Sequence, residues 1–383
     1  MTVEEITNAF VRLFGAQPRI YRAPGRVNLV GEHTDYNEGF VMPMAIDFST
    51  YVAMTERDDR ILRIYSDTFK EETSMDLARA PKRGRNHWSD YPFGVAIKLQ
   101  EAGHAISGAN VLVHGEVPLG SGLSSSAAVE VSTGLGLLDI SHEEIDRLQL
   151  AKTCQRAENE FVGARTGLMD QFIACFGKAG HAVILDCRSL ESKALPIPDD
   201  VTVVVCNTMV KHELASSEYN ARREQCEAGV RILSRHLSQL NSLRDVTVAE
   251  VEKFRDELGE VIYKRCLHVA AENERVRAAA NALQQNDLQT FGTLMYESHE
   301  SLRDDYEVSC RELDVMVDLA RGVEGVFGAR MTGGGFGGCT VNLIASQMLD
   351  EFTRAIKTGY AEAAKRDPEV YVCNAADGAE RVQ

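Results

Sequence analysis

The stretch Arg22–Phe40 reads RAPGRVNLVGEHTDYNEGF. Pro24, Gly25, Gly31 and Gly39 exclude a core helix, because proline and glycine both break helical backbone. Val27, Leu29 and Val30 read instead as a short buried strand. Around and after it, where the chain must turn, stand Arg26, Glu32, His33, Thr34 and Asp35. Polar groups of both signs at a strand end suit a grip on a small polyhydroxy or phosphorylated ligand. A salt-bridged turn is the plainer alternative, and later stretches bear on the choice.

The chain has 383 residues, enough for two domains or one large one. Its formal net charge of −16 argues against a nucleic-acid partner and requires that any phosphate site be built locally. No basic region followed by an apolar run opens the chain, and no stretch approaches membrane-spanning length. Nine cysteines lie singly, without a CxxC pair, which fits reduced thiols in a cytoplasm and gives no zinc framework. The ten histidines show no HExxH spacing.

Thr2 with Glu5 resembles a capping box ahead of Val3, Ile6, Phe10 and Leu13 at helical spacing. Residues 45–54, 60–66, 111–114, 182–186, 201–206, 340–344 and 370–373 read as strands, as does the chain near Arg330. Helices are expected over 86–101, from a Ser141/Glu144 capping box to about Val162, from near Gly167, and over about a hundred residues beyond Ser216. Two mixed α+β units fit this alternation, with the boundary near the Pro196–Asp200 turn.

Val117–Glu130 reads VPLGSGLSSSAAVE. Gly120 and Gly122 permit a tight turn, and Ala127–Val129 begin a helix. The free N–H groups of a helix N-terminus can hold a phosphate without a lysine, and the serine hydroxyls can reach phosphate or magnesium. No GK[ST] follows, so this is not a Walker A loop. A serine cap after an ordinary loop fits equally well. Downstream, Glu158 falls on an apolar helical stripe marked by Leu148, Ala151, Cys154 and Phe161. A core-facing carboxylate needs a cation or donors, so magnesium or a buried salt bridge is required. Asp170 stands near a helix start, where it can accept or orient a hydroxyl proton, or simply favour the helix. Met331–Gly338 reads MTGGGFGG and satisfies GxGxxG, but a strand-like run follows rather than a helix, which excludes a dinucleotide fingerprint.

Taken in order, Gly25–Tyr36, Pro118–Ala128 and Met331–Gly338 resemble the three motifs of the GHMP sugar and metabolite kinases. The blocks Gln155–Gln171 and Ser216–Cys226 support the match. The first motif resembles the galactokinase signature, and the resemblance, closest to the bacterial members, covers nearly the whole chain.

The resemblance implies an α+β, two-domain GHMP kinase fold. A ribosomal S5 domain 2-like unit (1–198) and a ferredoxin-like unit (199–383) would enclose the active site in their cleft. It implies ATP-dependent phosphorylation of the C1 hydroxyl of α-D-galactose by a cytoplasmic monomer, with no nucleic-acid or membrane partner. By position, Glu32, His33, Thr34, Asp35, Gly167, Asp170 and Tyr219 would bind the sugar. Gly120, Ser121, Gly122, Leu123, Ser124, Ser125 and Ser126 would cradle ATP, with Ser126 and Glu158 on Mg2+. Asp170 and Arg26 would be catalytic. Other sugar kinases share much of the first motif. Galactose-binding sensors of this family lack the Ser-Ala pair that stands here as Ser126-Ala127.

Overall fold

The computed structural model describes every residue except 80, 82, 145 and 211–214, and omits the side chains of 215 and 216. Ser216, which opens one of the supporting blocks, therefore has its side chain outside the described residues.

The first helix, α1 (Val3–Phe14), opens with the expected reciprocal Thr2–Glu5 cap. The chain then enters β1 (Arg19–Asn28), which pairs with β3 (Pro43–Arg57). With β4 (Ile61–Ser66), β5 (Glu71–Asp76), β6 (Gly108–Gly115) and β13 (Glu380–Arg381) they form a six-stranded sheet, ordered β13-β1-β3-β6-β4-β5. Successive residues of a strand face opposite ways. Ile20, Ala53 and Leu112 accordingly pack with Ile6 and Phe10 of α1, while Tyr21, Val52 and Val111 join the larger core on the other face. That core is closed by α2 (Asp90–Glu101), α3 (Ser125–Ile140), α4 (Arg147–Arg156) and α5 (Met169–Phe176). Helix α3 is buried on nearly every side, as its all-round apolar sequence requires.

A small sheet of β2 (Phe40–Val41), β7 (His181–Asp186) and β8 (Ser192–Pro196) leads to the second unit. There β9 (Val201–Asn207), β10 (Val326–Thr332), β11 (Cys339–Ala345) and β12 (Glu369–Cys373) form an antiparallel sheet, ordered β10-β11-β9-β12. This is the expected ferredoxin-like order. Helix α11 (Leu349–Ala364) joins β11 to β12. The other crossover is expanded into α6 (Ala215–Leu233), α7 (Val248–Lys253), α8 (Arg255–Gln284), α9 (Leu288–Asp304) and α10 (Arg311–Arg321). One face of this sheet packs Val203, Val205, Val341 and Leu343 against Val27, Leu29, Met42 and Met44 of the first unit.

Three local expectations change. The fourth helix is capped by Asp146, whose side chain accepts from Leu148 and Gln149, not by Ser141. Ser141 instead ends α3 and accepts from the Ser107 amide. Asp90 gathers the Arg85 and His87 amides, so α2 starts at 90 rather than 86. The strand read at Val27, Leu29 and Val30 ends at Asn28, and Leu29 and Val30 are buried in the bend that follows. Among the described residues, no helix is long and apolar enough to cross a membrane.

Candidate active site

The pairing of β1 with β3 shifts register between Pro24 and Arg26. A Cβ on Gly25, at this bulge, would lie 2.7 Å from the Leu123 carbonyl, which also accepts from the Arg26 amide at 3.0 Å. The bulge thus docks the glycine–serine loop on the strand and re-aims Arg26. The buried guanidinium reaches both carboxylate oxygens of Asp170, at 2.7 Å and 2.5 Å, and the Gly122 carbonyl at 2.6 Å. Two parallel charge-assisted bonds fix orientation as well as distance. The Ser124 hydroxyl also donates to Asp170, from a residue held at φ 64°. Asp170 lies in the first turn of α5, so one carboxylate ties β1, α5 and the loop together.

A cavity of about 330 Å³ opens over this pair. Arg26, Glu32, His33 and Asp35 line it from one side, and Gly120, Gly122, Leu123, Ser124, Ser125 and Ser126 from another. Glu158, Gly167, Asp170 and Tyr219 complete the wall. Two expected residues do not line it. Thr34 is fully buried and donates to the Gly31 and Phe40 carbonyls at 2.9 Å and 2.6 Å, which closes its own loop. Ser121 donates to the Pro118 carbonyl at 2.6 Å.

Glu32 accepts from Asn28 Nδ2 and the Gly333 amide, both at 2.6 Å, with the buried Arg330 at 3.8 Å. Burial pushes its carboxyl up, and Arg330 and Arg26 oppose the rise. His33, at φ 62°, has Nδ1 2.8 Å from the Tyr36 hydroxyl, while Nε2 is buried and makes no hydrogen bond of good geometry. Burial lowers its pKa to about 3, His268 adding to the fall, so the ring is neutral. Asp35 is half-buried against Gly167. Enclosure drives its pKa up to about 7, with Asp170 and Glu32 adding and the Tyr36 amide and Arg26 opposing.

Glu158 falls in a π-helical turn, Ala157–Val162, that continues α4. It accepts from Thr166 Oγ1 at 2.7 Å and Gln171 Nε2 at 2.8 Å. Gln171 also donates to Glu130 at 3.0 Å, whose other carboxylate oxygen has no partner. Burial raises both carboxyls; Glu158 adds to the rise at Glu130, and Asp170 to that at Glu158. Beyond Ser125 and Ser126 lies a more apolar cavity of about 120 Å³ that includes Phe69, Trp88, Tyr91 and Val129. Phe69 and Trp88 stack there, 5.7 Å between centroids and 15° apart.

The second glycine run is a turn between β10 and β11. Gly333 and Gly338 have φ of 83° and 81°, and a Cβ on either would strike the carbonyl of Gly122 or Ser121 within 2.8 Å. These glycines let two backbones touch, so the run braces the first loop. Sequence reading missed Asn28, Arg330, Gln171 and Glu130. Glu130 left a trace, a charge inside the apolar run 127–131.

Residues 8–56 match the galactokinase galactose-binding signature, 90–178 the GHMP kinase N-terminal domain, and 279–360 the GHMP kinase C-terminal domain. A galactokinase of Chloroflexus aggregans is 48% identical over 371 residues, spanning 97% of this chain and 95% of that one. The crystal structure of Lactococcus lactis galactokinase complexed with galactose superposes with a TM-score of 0.97, at 35% identity, over 100% of both chains. Methanococcus jannaschii mevalonate kinase shares the fold, with a TM-score of 0.65 at 18% identity over 94% of this chain and 99% of that one. An Arg-clamped aspartate beside a glycine–serine helix start, three motifs in order and full-length similarity together establish that the chain belongs to the galactokinase family of the GHMP kinases.

Proposed function

We propose that the chain phosphorylates the C1 hydroxyl of α-D-galactose with ATP, in the cavity between the units 1–198 and 199–383. The observation that carries this reading is the Arg26–Asp170 fork, set beside the backbone of residues 120–126. Glu32, His33, Asp35 and Tyr219 would hold the sugar, and Gly167 leaves room for Asp35. The loop and the first turn of α3 would receive the phosphates through backbone N–H groups and the dipole. The Phe69–Trp88–Tyr91 cavity continues from that turn and suits the flat apolar base.

The residues around Glu158 also fit a magnesium ion. Asp170, Glu158 and Glu130 crowd together with Arg26 as the nearby guanidinium, and one oxygen of Glu130 is unpartnered. Among the described residues no group of three or more His, Cys, Asp or Glu could hold a metal alone. A cation here would therefore take most ligands from phosphates and water, as magnesium does. Glu158 and Ser126 would be its protein contacts, and the bound ion would neutralise phosphate charge.

Phosphoryl transfer is governed by positioning and electrostatics. Asp170 would orient the C1 hydroxyl and take its proton. Arg26 would hold Asp170 and face the charge on the moving phosphoryl group. The nine cysteines are all free thiols, which suits the cytoplasm, and the enzyme is read as a monomer. The test is galactose-dependent ADP release with magnesium, with galactose 1-phosphate as product. Binding of galactose without transfer would favour a sensor, and a strong preference for another sugar would redraw the pocket.

A further inference from the structure

His33 is one end of a buried chain of polar groups. Its Nδ1 lies 2.8 Å from Tyr36 Oη, which lies 2.8 Å from Tyr306 Oη, which lies 3.0 Å from Cys226 Sγ. Tyr306 and Cys226 are buried, and the four groups come from the signature loop, α6 and the segment just after α9. The opposite ring nitrogen, Nε2, makes no hydrogen bond of good geometry in a residue that lines the sugar cavity, and the Gly334 backbone there favours a proton on the ring.

The protons can be counted. Burial holds both phenols well above their ordinary range and pushes the thiol up to about 11, so all three keep their protons. The neutral imidazole supplies a fourth. Three gaps separate the four atoms, and each gap takes one proton. With the ring proton on Nε2, Cys226 donates to Tyr306, Tyr306 to Tyr36, and Tyr36 to His33 Nδ1. Every gap is filled and no proton is stranded. With the ring proton on Nδ1, all three bonds reverse. Sulfur, a weak acceptor, then takes a phenol proton, and the S–H must find another acceptor. Its other polar neighbour is the Asn37 side chain.

We propose that the Cys226–Tyr306–Tyr36 chain fixes His33 as the Nε2–H tautomer, making it a dedicated hydrogen-bond donor to one hydroxyl oxygen of the sugar. This rests on the sugar-kinase reading above. Glu32 and Asp35 flank His33 in the cavity as carboxyl groups. A hydroxyl satisfies such a set, because it accepts from Nε2–H while it donates to a carboxylate. A deoxy position satisfies neither side. Tyr36 and Tyr306 are thus positioning residues that act through His33.

The primary test is 15N NMR of the imidazole in the full chain, with the His33 signals assigned by their loss in His33→Gln. The expected result is a protonated Nε2 and a bare Nδ1. A protonated Nδ1 would overturn the proposal. The second test is kinetic. Tyr36→Phe removes the donor to Nδ1, and the expected rise in galactose KM is about 2- to 10-fold, the worth of one neutral hydrogen bond. Turnover and the KM for ATP should stay near wild type, a split that general loosening of the fold would not give. Loss of one particular sugar hydroxyl should cost wild type more than Tyr36→Phe. Should Tyr36→Phe fail to fold, Tyr306→Phe breaks the same chain one step back. An unchanged galactose KM in both folded variants would overturn the proposal. Absence of galactose turnover in wild type would sink the functional reading instead, and the NMR result would still stand by itself.

Discussion

A Cβ placed on Gly167 would lie 1.9 Å from Oδ2 of Asp35. The two residues come from different segments of the first unit, yet each fixes what the other can be. Gly167 is not in a left-handed conformation, so adding a methyl group strains no backbone. Gly167→Ala should therefore act only by displacing Asp35. We expect kcat/KM for galactose to fall about 100-fold, the cost of a misplaced binding group, with near-normal thermal stability. Steady-state kinetics and a melting curve check this. Wild-type kinetics would show that Asp35 does not hold the sugar.

Asp170→Asn keeps the shape of the clamped residue and removes its charge. Galactose binding should persist by calorimetry, while turnover falls about 10²- to 10⁴-fold, the range of one acid–base group. Arg26→Ala should impair turnover too, and it should also loosen the loop through the lost bond to the Gly122 carbonyl. Near-normal turnover in Asp170→Asn would remove Asp170 from the chemistry.

Asp35 makes stability depend on pH. Its pKa rises from 3.8 to about 7 on folding, so the folded chain keeps this proton over a range where the unfolded chain has lost it. Stability linked to Asp35 is fully present below 3.8 and declines as pH rises towards about 7. Denaturant unfolding from pH 5 to 8 should show a fall in wild type that is shallower in Asp35→Asn. Sugar hydroxyls that donate to Asp35 favour its ionised form. Galactose binding near pH 7 should then release protons, visible as calorimetric heats that differ between buffers.

Trp88 is the only tryptophan in the chain. Its stack on Phe69 makes its fluorescence a direct reporter of the apolar cavity. Adding ADP should change the emission, and galactose alone should not. Trp88→Ala should raise the KM for ATP about tenfold, in keeping with the worth of stacking on a base. Emission that ignores nucleotide would place the base elsewhere.

Much of the site was legible because its residues lie in runs. The signature 25–36 and the loop 118–128 carry their chemistry in consecutive positions, so their order alone identified them. Glu158 showed itself as a carboxylate on an apolar stripe. Its partners did not, because Gln171 and Glu130 are single polar residues on other helices. Nothing local says that Glu130 and Gln171 would meet Glu158. The strands Glu71–Asp76 and Ser192–Pro196 escaped for a related reason. They are short and largely exposed, without the apolar alternation that marks a strand.

The sequence by itself determined the α+β character, the presence of a strand at Val27, a helix beginning at the serine run, and the exclusion of a dinucleotide site. Those features follow from local rules, namely glycine and proline geometry, periodicity and capping. Only the tertiary structure decided which groups touch. The bulge at Gly25 turned Arg26 onto Asp170, the glycines at 333 and 338 let the second run brace the loop, and Thr34 proved to be spent on its own backbone. Partners 144 residues apart, as Arg26 and Asp170 are, are brought together by packing, which no short-range pattern encodes.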